Sequence, residues 1–383
     1  MKIAVILITI LLATPVISDK FWNSNTEKFH NVMREWWDID AFIHADKNYS
    51  ITSSFEYEKE TPASNLFLTI FDLDENKFYD MGSYGDNISN MKYENGYIKY
   101  KNCWIKPSYP NYKAYFEKKN KKIYIEMQAE APPTEVAEGI SNYLPVGFGY
   151  YKYTFTSKCI ARGWIEIDGE RKEFTGIAYY EHVWGNWSYN NPLKEFSFVT
   201  LRNYMRLFKW WINDMNFDYK NFTISTDNPF GYDWSWGFFD NGWTIFFGDI
   251  PFWIRGIPLG IIYIYNGKNY MEFKVTGCEY LDGSYIDGAF FPRELKITAS
   301  GNKNLTLFFK MTHKPHIYKD NLSSPYWKEL MLYECPGKIH GFYEKNELNG
   351  IGEIEVERQI NIITYMLFKI FCSLNIYKTW IFP

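Results

Sequence analysis

The chain has 383 residues, a formal net charge of −4 and no block or stripe of basic side chains. That balance excludes the phosphate-tracking surface of a nucleic-acid binder, and the charge pattern offers no patch for an anionic membrane surface. Hydrophobic residues make up 46% and aromatic residues 20%, spread along the whole length, which suffices for large cores in two domains of ordinary size.

Residues 1–18 read as a secretory signal peptide. Lys2 supplies the positive start, Ile3 to Ala13 the apolar run, and Val16 and Ser18 the small residues of a cleavage site before Asp19. The expected location is therefore secreted or at the cell surface. Six Asn-x-Ser/Thr sequons, at Asn48, Asn87, Asn186, Asn221, Asn304 and Asn321, fit an exported glycoprotein with many exposed turns.

Beyond the leader, strand signals dominate. Trp37, Ile39, Ala41 and Ile43 alternate with Trp36, Asp38, Asp40 and Phe42. Leu66, Leu68 and Ile70 alternate with Phe67, Thr69 and Phe71, and Ile123, Ile125 and Met127 with Tyr124, Glu126 and Gln128. A period of two marks strands with one face inward. Asn95-Gly96, Asp168-Gly169, Asn241-Gly242, Asn266-Gly267, Asp282-Gly283 and Asn349-Gly350 tolerate positive φ and predict tight hairpins. Many short strands with almost no helical period predict an all-β chain of antiparallel barrels or sandwiches.

Three stretches break the pattern. Residues 129–145 read as a long proline-containing loop at a rim. Residues 198–216 carry Leu201, Met205, Phe208 and Trp211 at helical spacing and read as an inserted helix or irregular connector. In the tail, Ile363, Met366, Leu367, Ile370, Phe371 and Leu374 predict an amphipathic C-terminal helix, packed on a barrel wall or in peripheral contact with a membrane. The five cysteines, Cys103, Cys159, Cys278, Cys335 and Cys372, allow one bridge per half, Cys103 with Cys159 and Cys278 with Cys335, without fixing that pairing. No Cys-x-x-Cys or paired-His spacing points to a metal, and His313-x-x-His316 brackets a proline with no acidic or cysteine neighbour. No phosphate loop or Gly-x-Ser-x-Gly elbow occurs, so no cofactor is expected.

Three motifs stand in order along the chain: Glu35-Trp36-Trp37-Asp38-Ile39-Asp40-Ala41, then Gly176-Ile177-Ala178-Tyr179-Tyr180-Glu181-His182-Val183-Trp184-Gly185, then Tyr232-Asp233-Trp234-Ser235-Trp236-Gly237. Trp104-Ile105-Lys106, Tyr109-Pro110-Asn111-Tyr112, Pro132-Pro133 and Gly350-Ile351-Gly352 connect them. This order resembles the carotenoid 1,2-hydratase (hydroxyneurosporene synthase) family, with its secreted lipocalin-like relatives and the fungal decalin-forming Diels–Alderases. Glu181 stands where that family has Asp, and Asp38 where an aromatic is common.

The resemblance covers most of residues 30–358 and implies two consecutive lipocalin-like domains with a hydrophobic pocket. The domains are expected at 19–197 and 229–358, with a connector at 198–228 and an apolar tail helix at 359–383. Glu181-His182-x-Trp184, a histidine beside an indole, is the first chemical candidate; in the hydratases a carboxylic acid is the proton source, which points here to Asp249 of Phe246-Phe247-Gly248-Asp249. Protonating an isolated alkene needs a strong desolvated acid and aromatic faces that stabilise a cation. Trp36, Trp37, Trp184, Trp234 and Trp236 are the candidates for the ligand wall. The structural alternatives are a hydrogen-bonded pair of His182 with Glu181, a Trp plug with Glu35 capping neighbouring backbone, and Trp234 and Trp236 as core.

Three functions compete: a cofactor-free hydratase or cyclase acting on a large apolar, isoprenoid-like substrate, a non-catalytic lipid carrier, and a cell-envelope structural or adhesion module. The expected partner is an apolar small molecule or lipid.

Overall fold

The structure, a computed structural model, describes residues 27–60, 62–138, 143–146, 149–188, 198–212, 223–224, 231–250, 254–255, 259–287, 289–320 and 327–361. The signal peptide expected at 1–18 and the helical period at 363–374 lie outside these residues. Contacts divide the chain into two units, Met1–Asp214 and Met215–Pro383.

The first unit contains β1 (Arg34–His44), β2 (Asn48–Glu58), β3 (Ala63–Asp72), β4 (Lys77–Asp80), β5 (Ser83–Asn87), β6 (Met91–Glu94) and β7 (Tyr97–Tyr100). β8 (Cys103–Lys106), β9 (Asn111–Lys118), β10 (Lys121–Ala129), β11 (Thr134–Glu135), β12 (Leu144–Val146), β13 (Gly149–Ile167) and β14 (Glu170–Asn186) follow. These strands form one curled sheet with the path β4-β3-β2-β1-β14-β13-β10-β9-β8-β7-β6. Its inward face is the set that the alternation predicted: Trp37, Ile39, Ala41 and Ile43 from β1, Leu66, Leu68 and Ile70 from β3, and Ile123, Ile125 and Met127 from β10 all join one buried cluster. The helical spacing near residue 200 becomes α1 (Phe198–Ile212). It turns Thr200 and Asn203 inward, where the Asn203 side chain donates to the Tyr143 carbonyl at 3.1 Å, and leaves Leu201 and Phe208 exposed.

The second unit contains β15 (Thr223–Ile224), β16 (Gly231–Phe239), β17 (Thr244–Ile250), β18 (Ile254–Arg255), β19 (Leu259–Tyr265) and β20 (Tyr270–Ile286). β21 (Ala289–Ser300), β22 (Asn304–Met311), β23 (His316–Asp320), β24 (Trp327–Tyr343) and β25 (Asn346–Asn361) complete it. The path β22-β21-β20-β19-β17-β16-β25-β24 closes on itself through the β22–β24 ladder into an eight-stranded barrel, with β23 added outside β24. Closure removes the open sheet edges that would otherwise recruit another strand. β25 runs to Asn361, so residues 359–361 of the stretch read as a tail helix are barrel strand.

Two sequence expectations need correction. Four of the Asn/Asp-Gly pairs do turn: Asn95-Gly96 and Asp168-Gly169 have positive φ at both residues, and Gly242 and Gly267 sit at positive φ between β16 and β17 and between β19 and β20. Asp282-Gly283 instead lies at a bulge inside β20. Asn349-Gly350 lies inside β25, where a Cβ on Gly350 would stand 2.1 Å from the Phe238 carbonyl oxygen. Here glycine serves close strand approach rather than chain reversal. The disulfide pairing is the second correction. Cys103, Cys159, Cys278 and Cys335 are all free, and the Cys103 sulfur instead accepts from the Glu117 amide at 3.4 Å across β8–β9.

Candidate active site

The site is built on the β1–β14 ladder. Its register sets Glu35 opposite Trp184, Trp37 opposite His182, and Asp38 opposite Glu181. Directly opposed residues share a face, and successive residues alternate faces. Glu35, Trp37, His182 and Trp184 therefore look into the core of the first unit, while Trp36, Asp38 and Glu181 look the other way.

On the core face, Glu35 and His182 are both fully buried. His182 Nε2 and His30 Nδ1 each lie 2.8 Å from Glu35 Oε1. The Tyr57 hydroxyl donates to Glu35 Oε2 at 2.8 Å, and the His30 backbone amide donates to the same oxygen at 2.9 Å. Burial alone would raise the Glu35 pKa, but the hydrogen bonds and charges of His182 and His30 outweigh it and hold the carboxyl below its ordinary value. Rings pack around this centre: Trp37 stacks on His182 at 4.9 Å and Trp184 on His30 at 4.3 Å, nearly parallel. From the backbone, Glu35 accepts from the His30 amide, and Phe29 stacks on Trp37 at 6.3 Å.

His182 and Glu181 do not form the hydrogen-bonded pair weighed from the sequence, because neighbours on a strand point to opposite faces. Glu181 accepts from the Tyr153 hydroxyl, from the Tyr179 hydroxyl at 2.6 Å and from the Trp36 indole at 3.0 Å. Asp38 stands directly opposite Glu181 on β14 and Ser54 on β2. Burial, then the charges of Glu181 and Asp40, push the Asp38 carboxyl well above the usual carboxylate range. Burial raises Glu181 as well, but the donors Tyr153, Tyr179, Asp38 and Trp36 favour its charged form. Both carboxyls are thus pushed upward, and a proton bound here belongs to the pair rather than to either group. One Asp38 oxygen, Oδ1, is closed to solvent and has no hydrogen-bond partner. A buried carboxyl oxygen without a partner costs about 1–3 kcal/mol.

In the second unit, Asp249 lies directly opposite Asp233 on β16–β17. The fully buried Arg358 donates to Asp233 Oδ1 at 2.7 Å, and the Tyr280 hydroxyl donates to Asp233 Oδ2 at 2.5 Å. Burial, followed by the charge of Asp233, pushes Asp249 up to about 7. Its Oδ1 is also closed off and unpaired. Trp234 and Trp236 stand on the opposite face of β16, both buried.

The ladder thus brings together Trp37, His182 and Trp184 on one face, and Trp36 and Glu181 on the other. Trp234, Trp236 and Asp249 belong to the second unit. Sequence reasoning did not select His30, Tyr153, Tyr179 or Arg358. It noted Asp38 only as a departure from the family pattern, although a carboxylate in a strand opening among aromatics was the available signal.

No protein-family model matches the chain, and no curated protein matches it. Solved structures do. A kievitone hydratase from Nectria haematococca is similar at TM-score 0.62 and 13% identity, over 91% of this chain and 96% of that one. An AttH-like protein from Nitrosomonas europaea gives TM-score 0.60 and 13% identity, over 89% and 98%. CghA gives TM-score 0.52 and 9% identity, over 91% and 96%. The fold is lipocalin-like. At these identities the likeness extends to the fold and not to the site residues, whose chemistry has to be argued from their geometry.

Proposed function

We propose that this protein is a cofactor-free hydratase or cyclase of alkenes in a large apolar substrate, with Asp38 as general acid. The observation that carries the reading is the Asp38–Glu181 pair. Two carboxyls face each other across β1–β14, burial pushes both upward, and Asp38 Oδ1 is closed to solvent. The hydratase among the similar folds supports the reaction class.

In this reading Asp38 gives its proton to an alkene carbon. The π electrons form the new C–H bond and leave a cation on the adjacent carbon. Glu181 and the Trp36, Tyr153 and Tyr179 rings stabilise that cation. Water then attacks it, and the proton lost by that water returns through Glu181 to Asp38. An internal alkene in place of water gives cyclisation, with the returning proton taken from carbon. The location expected from residues 1–18 belongs to the same proposal: an exported enzyme meeting its apolar substrate outside the cytoplasm.

The test is turnover of an alkene panel in D2O, with mass spectrometry of apolar molecules that co-purify with the protein. The expected product carries one carbon-bound deuterium, and Asp38→Asn lowers its rate by about 10²–10⁴-fold. Full turnover in Asp38→Asn removes Asp38 as the acid. A bound lipid without turnover in the wild type supports the carrier reading instead.

A further inference from the structure

The core face of the same ladder carries a second constellation that the hydratase reading does not use. We propose that His30, Glu35 and His182 form a binding site for a divalent transition-metal ion of the zinc class. Their ligand atoms, His30 Nδ1, a Glu35 carboxylate oxygen and His182 Nε2, lie within 4.8 Å of one another. Both imidazole nitrogens converge on the same oxygen, Glu35 Oε1, at 2.8 Å. Zinc bonds of about 2.0–2.1 Å at a tetrahedral angle separate ligand atoms by about 3.3 Å. Opening each nitrogen–oxygen contact by about half an ångström therefore admits the ion, within the reach of small side-chain rotations.

The surroundings are those a metal site needs. The second carboxylate oxygen is held by the Tyr57 hydroxyl and the His30 amide, which orients the ligand. Trp37 against His182 and Trp184 against His30 fix both ring planes. Two imidazoles and one carboxylate are borderline donors that select zinc-class ions over calcium or magnesium, which prefer oxygen-only shells. Three protein ligands leave a fourth position for water, and the His30 side chain, 24% exposed, gives the one solvent-facing side.

The other cluster of this kind, Asp233, Asp249 and Cys278, is a weaker candidate because the Arg358 guanidinium already supplies the cation to Asp233. At the first site, among the described residues, no lysine or arginine hydrogen-bonds to Glu35. A bound ion would clip residues 27–33 and the adjoining β1 to β14, which is far away in sequence.

The test starts from full-length protein stripped with a chelator. Cobalt(II) titration should give a visible ligand-field band that saturates at one equivalent. Zinc should compete it away and raise the Tm. His30→Ala should weaken zinc binding by more than about 100-fold, beyond the 10–100-fold typical of losing an outer-shell partner. Tyr57→Phe, which leaves all three ligands in place, should weaken it by about 10-fold. Asp38→Asn should bind zinc as the wild type does, which separates this site from the proposed acid. A wild type that shows no cobalt band, or that binds zinc no tighter than folded His30→Ala, overturns the proposal. If His30→Ala does not fold, unchanged zinc affinity in Tyr57→Phe overturns it.

Discussion

The two faces of the β1–β14 ladder hold neighbouring residues in opposite states. On the core face Glu35 has donors at both oxygens and is held ionised. Three residues further along β1, on the other face, Asp38 is pushed well above the usual carboxylate range, and its Oδ1 has no hydrogen-bond partner. Glu35 is fully buried and Asp38 half-buried, so exposure does not account for the difference. The donor count does: Glu35 receives two histidine rings, a tyrosine hydroxyl and a backbone amide, whereas Asp38 faces the charges of Glu181 and Asp40. A fully answered carboxylate locks structure, and a protonated one with a free oxygen can do chemistry.

Four measurements would break or sharpen this contrast. The largest effect is on rate: the loss of about 10²–10⁴-fold expected in Asp38→Asn, read in the deuterium assay, corresponds to a few kcal/mol of transition-state stabilisation. Next comes stability. His182→Ala leaves Glu35 with a buried charge that has lost its deepest partner, so urea melts should show destabilisation of about 3–5 kcal/mol. Equal losses from His182→Ala and from a surface substitution would show that the core-face network carries little.

The third measurement uses the sign of the pH dependence, which differs between the faces. The Glu35 pKa is lowered by folding, so its contribution is present above its unfolded value and is lost as pH falls through the folded one. The Asp38 pKa is raised, so the folded state holds the extra proton and stability from this group falls as pH rises above the unfolded value. Asp38→Asn should therefore gain Tm relative to wild type as pH rises, and Glu35→Gln should lose most at neutral pH and least in acid. Asp249 provides the same test in the barrel: with its pKa pushed to about 7, Asp249→Asn should raise the Tm by several degrees more at pH 8 than at pH 5. A flat difference between these two pH values would contradict a buried, protonated Asp249. The smallest effect is expected from Tyr179→Phe, which removes one of several donors to Glu181 and should cost about 1–2 kcal/mol, read by urea melts.

Much of the fold was legible because a strand's period of two is local. The inward positions of β1, β3 and β10 follow from alternation alone, and the ordered Trp motifs resemble a family that is lipocalin-like. The site was legible only in part. Glu181, His182 and the Trp residues around them stand in a recognisable motif, but Asp38 looked like a departure because its partner, Glu181, lies 143 positions later and meets it only through strand register. Tyr153, on β13, becomes a donor to Glu181 the same way. Asn349-Gly350 shows the opposite error: a local turn signal was absorbed into a long strand because Gly350 fits against the Phe238 backbone.

The sequence by itself determined the all-β class, the inward and outward sets of residues on its strands, and the separation of Glu181 from His182 onto different faces. All three follow from side-chain alternation, which needs no partner strand. The tertiary structure decided which carboxyls meet donors and which meet charges, which histidine meets which glutamate, that the four described cysteines stay free, and that the second unit closes into a barrel. Each of those depends on the register between strands distant in the chain, and register is a property of the assembled sheet.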